Sequence, residues 1–194
     1  MRALRAGLFS LLIFAAACSA PPQKEIDLAQ GAIDAARAAG AEQFAPTEFT
    51  QATSALQQAH DAVAQRDYRL ALTRALDAHD RAQTAAKAAA DGKAKARSDA
   101  DAAIARAAMA LEQLHTRIKV AEGAKLSRPD LAAARATAAR AETALQKARA
   151  AVIEGNYAAA RDAVNGIPGT MKGAVAALDA ASTKKPGRTG RRPR

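Results

Sequence analysis

The sequence predicts an all-α protein: an elongated, alanine-rich antiparallel helical bundle of two tandem three-helix units with coiled-coil-like seams. Three observations carry this. Alanine supplies 59 of the 194 residues, and it is the strongest intrinsic helix former because it gives up no side-chain entropy. Between Pro46 and Pro129 there is no proline, and the only glycines are Gly92 and Gly123. Apolar residues recur in alternating steps of three and four, and no run alternates with period two, so no strand is expected.

The breaks divide the chain into helices near 24–39, 47–65, 67–90, 98–122, 129–153 and 156–181. Gly40 ends the first, and Pro46 opens the second, where its missing N–H costs nothing. The turn Gln65-Arg66-Asp67 leads to Tyr68 and the third. Asp91-Gly92 marks a stop, with Ser98 and Asp101 as a cap for the fourth. With no breaker between Lys93 and Arg97, one continuous helix is the equal alternative. Gly166-Ile167-Pro168-Gly169 interrupts the last helix without disturbing its heptad phase, which predicts a kink.

Four seams follow. Phe49, Ala52, Leu56, Ala59 and Val63 form one; Ile104, Ala107, Leu111, Leu114, Ile118 and Ala121 a second. Leu131, Ala134, Ala138, Ala141, Leu145, Ala148 and Val152 form a third, and Tyr157, Ala160, Val164, Ile167, Met171, Ala174 and Leu178 a fourth. These are a/d positions, suited to side-by-side packing. Alanine seams bring helices close while burying little area per contact.

An internal repeat underlies the two units. Gly40 to Pro46 matches Gly123 to Pro129, and Arg66-Asp67-Tyr68 matches Gly155-Asn156-Tyr157. The Pro-to-Tyr distance is 22 in the first copy and 28 in the second, close to one heptad of added length. Gly40, Pro46, Asp67, Tyr68, Gly123, Pro129 and Tyr157 are thus the turn and linker residues. The aromatics stand at these joints, where a ring can plug the end of a narrow alanine seam.

The first seventeen residues have the form of an export signal. Arg2 and Arg5 precede an apolar run from Leu8 to Ala17, too short to span a bilayer comfortably. The run ends Ala15-Ala16-Ala17-Cys18-Ser19, which resembles a bacterial lipobox with Ala15 where Leu is commoner. The resemblance implies acylation of Cys18, the only cysteine; the alternative is plain cleavage after Ala17 or Ala20. A lone thiol forms no intramolecular disulfide, and acylation would consume it. Ser19, rather than Asp, after the cysteine points to the outer membrane, facing the periplasm; a soluble periplasmic protein is the alternative. Residues 18–23, with Pro21 and Pro22, read as a tether, 24–92 and 93–182 as the two units, and 183–194 as a disordered basic tail.

The formal charge of +10 suggests nucleic acid, but its distribution does not. Arg2 and Arg5 lie in the signal, and Lys184, Lys185, Arg188, Arg191, Arg192 and Arg194 lie in the tail. Without these eight cations the body is only +2. It lacks the basic stripe and aromatic platforms of a nucleic-acid surface. The tail reads either as a solubilising end or as a contact with an anionic surface, where each charge adds about 1 kcal/mol.

Gly40, Ala41, Phe44, Ala45, Pro46, Glu48, Phe49, Ala52, Leu56, Ala59, Asp67, Tyr68, Ala71 and Ala75 together resemble the domain-of-unknown-function 4398 family of bacterial envelope proteins, over roughly residues 25–90. The second copy departs from it, with Ser127-Arg128 in place of the Phe-Ala pair and Asn156 in place of the Asp. The resemblance implies a helical, often lipid-anchored envelope protein and brings no activity, ligand or catalytic residue. Asp67-Tyr68 with Ala71 and Ala75 also looks like part of a tetratricopeptide repeat, though its roughly 34-residue period is missing.

No nucleophile elbow, phosphate loop or paired-acid site is found, and no catalytic residue, cofactor or metal ligand is assigned. His60 and His79 sit at similar distances from the Asp67-Tyr68 turn, but a metal needs further ligands nearby. Asp61 and Asp80 are adjacent to them and rotated roughly 100° round their helices. The expectation is a non-enzymatic envelope lipoprotein, held to a membrane by its N-terminal lipid and serving as spacer or docking module for an envelope protein or wall polymer. Amphipathic-helix binding of lipid or hydrophobic cargo, and a tetratricopeptide-like adaptor, are the alternatives.

Overall fold

A computed structural model describes residues 20–184. Cys18, Lys185, Arg188, Arg191, Arg192 and Arg194 lie outside the described residues. Every regular element is helical: α1 Gln23–Ala38, α2 Ala41–Phe44, α3 Pro46–Ala64, α4 Tyr68–Gly123, α5 Arg128–Ile153, α6 Tyr157–Val164 and α7 Ile167–Lys184. The chain divides into two compact units, Met1–Gly92 and Lys93–Arg194. The second unit begins within α4.

In the first unit, α1, α3 and the early part of α4 share one core. α1 presents Ile26, Ala29, Ile33 and Ala36, and α3 presents Phe49, Ala52, Ala55, Leu56 and Ala59. Here α4 offers only alanine: Ala75, Ala78, Ala82, Ala85 and Ala89, each with no exposed surface. Bulk therefore comes from Ile, Leu and Phe on α1 and α3, each worth about 1.5–3 kcal/mol when fully buried. The alanine row lets the backbone of α4 come close to them.

In the second unit the rest of α4 supplies Ala107, Leu111, Leu114, Ile118 and Ala121. α5 supplies Leu131, Ala134, Ala138, Ala141, Leu145 and Ala148, and Val164, Ile167, Met171 and Leu178 close the core from α6 and α7. The four expected seams thus line the two cores, with Val63, Ile104, Val152 and Ala174 only half-buried.

Several expectations change. Asp91-Gly92 is no stop, and Ser98 and Asp101 cap nothing: α4 is one helix of 56 residues. The Gly166–Gly169 segment is a break rather than a kink, because Asn165 is extended (φ −60°, ψ 132°) and α7 starts anew at Ile167. The heptad phase survives that break, with Val164 and Ile167 both buried on one core. Lys184 is the last described residue and belongs to α7, so the helix enters the stretch read as tail. Gly123 is the last residue of α4 and not a turn. The left-handed turn residue there is Lys125 (φ 55°).

Candidate functional site

Cys18 is the candidate with chemistry. The described chain begins two residues after it and becomes helical almost at once. Gln23 N–H donates to the Pro21 carbonyl (2.8 Å) and Ile26 N–H to the Pro22 carbonyl (3.1 Å). Ile26 is already buried. Pro22 is four chain steps beyond Cys18, a reach of at most about 14 Å. Anything held at Cys18 is therefore held close to α1.

The joints come next. Before Tyr68, Asp67 N–H donates to the Ala62 carbonyl and Arg66 N–H to that of Val63, both 2.9 Å. Before Tyr157, Asn156 N–H donates to Ala151 (2.8 Å) and Gly155 N–H to Val152 (3.1 Å). Both are the paired 6→1 and 5→2 closure that ends a helix through a left-handed residue, with φ 61° at Arg66 and 77° at Gly155. Asp67 then accepts from Leu70 N–H (3.0 Å), and Asn156 from Ala159 N–H (3.1 Å). The Asp and Asn of the repeat are equivalent N-caps. Tyr157 is buried and Tyr68 half-buried.

The Gly–Pro linkers are less alike. The first holds α2, whose Phe44 ring lies against Gly40, while the Phe44 carbonyl lies against Gly92 of α4. Pro46 is the first residue of α3. In the second linker there is no helix, Ser127 caps α5 by accepting from Asp130 N–H (3.4 Å), and Pro129 is its second residue. α5 has 26 residues and α3 has 19, a difference of one heptad.

Charged groups pair in small sets that sequence reading did not single out. Arg37 donates to Glu42 (2.9 Å) and Asp34 (2.7 Å), and its guanidinium stands 5.3 Å from the Phe49 ring centre. The Glu42 hydrogen bond, ahead of the Asp34 contacts, holds Arg37 above its ordinary pKa. Lys95 donates to Asp99 (2.8 Å), and this bond chiefly holds the Asp99 carboxyl below its ordinary range. The Lys–Asp spacing of four was the available signal. Arg117 pairs with Asp179 and Arg135 with Glu122.

His79 lies between Asp80 (3.4 Å) and Gln83 (3.2 Å), His115 beside Glu142 (3.3 Å), and His60 is exposed. Among the described residues no three His, Cys, Asp or Glu side chains are grouped to hold a metal ion. An open groove of about 330 Å³ between α3 and α4 is lined by Gln51, Ser54, Gln58, Arg74, Asp77 and Arg81. There Arg81 donates from Nε to Asp77 (2.8 Å) and from Nη1 to Gln51 (3.1 Å) within the unit. Lys184 borders a second open groove of about 490 Å³ with Lys125, Ser127 and Asp130.

Residues 24–100 match the model of DUF4398, a domain of unknown function. The match supports the resemblance read over roughly residues 25–90 and carries it ten residues further along α4. It covers less than half of the chain. No curated protein and no solved structure matches the sequence.

Proposed function

We propose that the protein is a non-enzymatic lipoprotein of the cell envelope, attached through an acyl chain on Cys18. In this reading its helical body serves as a spacer or docking module on the outer membrane, facing the periplasm. The observation that carries this is the order Arg2, Arg5, apolar run, three alanines, Cys18, then a helix whose buried face starts at Ile26. Among the described residues no helix is long and apolar enough to cross a membrane, so the attachment we assign is the lipid. The body is read as two tandem three-helix units. α2 serves as a linker turn in the first, and α6 and α7 act as one interrupted helix in the second. At 56 residues, α4 alone exceeds a whole tetratricopeptide repeat of about 34, which favours the bundle over the adaptor.

The basic residues from Lys184 to Arg194 are assigned a contact with an anionic surface such as wall polymer or lipid headgroups. The test of the anchor is Cys18→Ala. The wild type is expected in the membrane fraction and the variant in the soluble one; a variant that still fractionates with membranes contradicts the proposal. Removing residues 185–194 is expected to weaken binding to anionic vesicles or wall preparations, and unchanged binding would remove the tail from the account.

A further inference from the structure

Within the second unit, α4 has two ordered faces. One is buried and runs Ala107, Leu111, Leu114, Ile118 and Ala121. At 100° per residue the opposite side carries Ala102, Ala105, Met109, Gln113, Thr116 and Val120, and all six are exposed. The spacing is 3, 4, 4, 3, 4, so the row repeats every eleven residues: 102 with 113, 105 with 116, 109 with 120. An eleven-residue period follows a nearly straight helix stripe. Met109 and Val120 are 60% and 53% exposed. No charge interrupts the row. Earlier in the same helix the outward side carries the exposed charges Arg69, Asp80 and Lys87 beside Leu76, which is 51% exposed.

The flanks share the period. Asp101 precedes Ala102 as Glu112 precedes Gln113, and Arg106 follows Ala105 as Arg117 follows Thr116. Asp101 and Arg106 stand on opposite flanks of the row and about 7.5 Å apart along the axis, as do Glu112 and Arg117, so each pair is within reach across a parallel, in-register pair of helices. That places Asp101 against the second copy's Arg106, and Glu112 against its Arg117, each twice by symmetry. An antiparallel pairing centred on the row would set Arg106 near the other copy's Arg117, a repulsion, and Asp101 near its exposed Lys119, an attraction. The parallel pairing has the attractions without the repulsion. Asp101 and Arg106 are both exposed, and the contact of Asp101 with Arg97 is long at 3.8 Å. Arg117 is partly occupied by Asp179 of its own unit, so the Asp101–Arg106 pairs carry more of the discrimination.

We propose that the outward face of α4 from Asp101 to Val120 is a self-association surface, pairing parallel and in register with a second copy of this chain. It is independent of any lipid at Cys18. The seam is mostly small side chains, so the dimer is weak and concentration-dependent.

Because Cys18 is the only cysteine, the test uses the full chain with Cys18→Ala in mild detergent. Met109→Cys, Val120→Cys and, as a control, the 87%-exposed Ile153→Cys are oxidised separately. Positions 109 and 120 are expected to give a disulfide dimer in several-fold higher yield than position 153. Adding Arg106→Glu turns two attractions into repulsions and lowers that yield about tenfold; adding Asp101→Arg as well restores it. Yields at 109 and 120 no higher than at 153 would overturn the proposal. So would a mixture of Ala102→Cys and Val120→Cys chains that cross-links better than Val120→Cys alone, or a charge swap that fails to restore the yield.

Discussion

The Phe44 carbonyl oxygen lies so close to Gly92 that a Cβ at position 92 would overlap it, and that Cβ would stand 3.2 Å from the Phe44 Cβ. A glycine in mid-helix usually lowers stability by about 1 kcal/mol relative to alanine. Here it lets α2 sit directly on the backbone of α4.

Gly92→Ala is therefore expected to destabilise the protein by about 1–3 kcal/mol through overpacking, against its helix propensity. Gly31→Ala in α1 and Gly173→Ala in α7, where an added Cβ meets nothing within 4 Å, are expected to stabilise by about 1 kcal/mol. Urea unfolding followed by circular dichroism reads both signs. A stabilising Gly92→Ala would show that the Phe44 contact does not hold.

The two Asp/Asn–Tyr joints differ in their left-handed residue. Arg66 adopts the left-handed conformation that Gly155 adopts in the other copy, at a cost of about 1 kcal/mol for a side-chain-bearing residue. Arg66→Gly should raise stability by up to about 1 kcal/mol, and Gly155→Ala should lower it by a similar amount. Equal responses in the two variants would mean that the joints are not equivalent.

The alanine row of α4 leaves no room for a larger side chain. Ala82→Leu is expected to cost about 1–3 kcal/mol, whereas Ala90→Leu, at an exposed position of the same helix, should be nearly neutral. A neutral Ala82→Leu would imply a loosely packed first core.

Lys95 holds the pKa of Asp99 below the ordinary carboxylate value, mainly through their hydrogen bond. A carboxyl depressed in the folded state contributes stability above its unfolded pKa, and this is lost as pH falls through the lowered folded value. The loss is thus confined to pH below about 4. In an NMR carboxyl titration Asp99 should titrate below its ordinary value and return towards it in Lys95→Ala. An unchanged midpoint in that variant would contradict the pairing.

The helices and their buried faces were legible because a seam is a local signal: Leu131 to Ala148 and Tyr157 to Leu178 keep their spacing whatever they pack against. What the sequence hid depends on distant atoms or on conformation. Gly92 reads as a stop until Phe44 is placed beside it. Gly123 reads as the turn of the second linker because glycine is the usual left-handed residue, yet Lys125 adopts that conformation. Gly166 to Gly169 reads as a kink because the heptad phase is indifferent to a two-residue break. The candidate site is of another kind: Cys18 is marked only by its neighbours in the chain, and it lies outside the described residues.

Acylation of Cys18 is the central proposal, and mass spectrometry of the N-terminal peptide from membrane-extracted protein tests it directly. The expected result is a mature chain beginning at Cys18 and carrying a diacylglyceryl group, with further acylation at its amino group where the organism adds it. A chain beginning at Cys18 or Pro21 with no acyl mass would contradict the account.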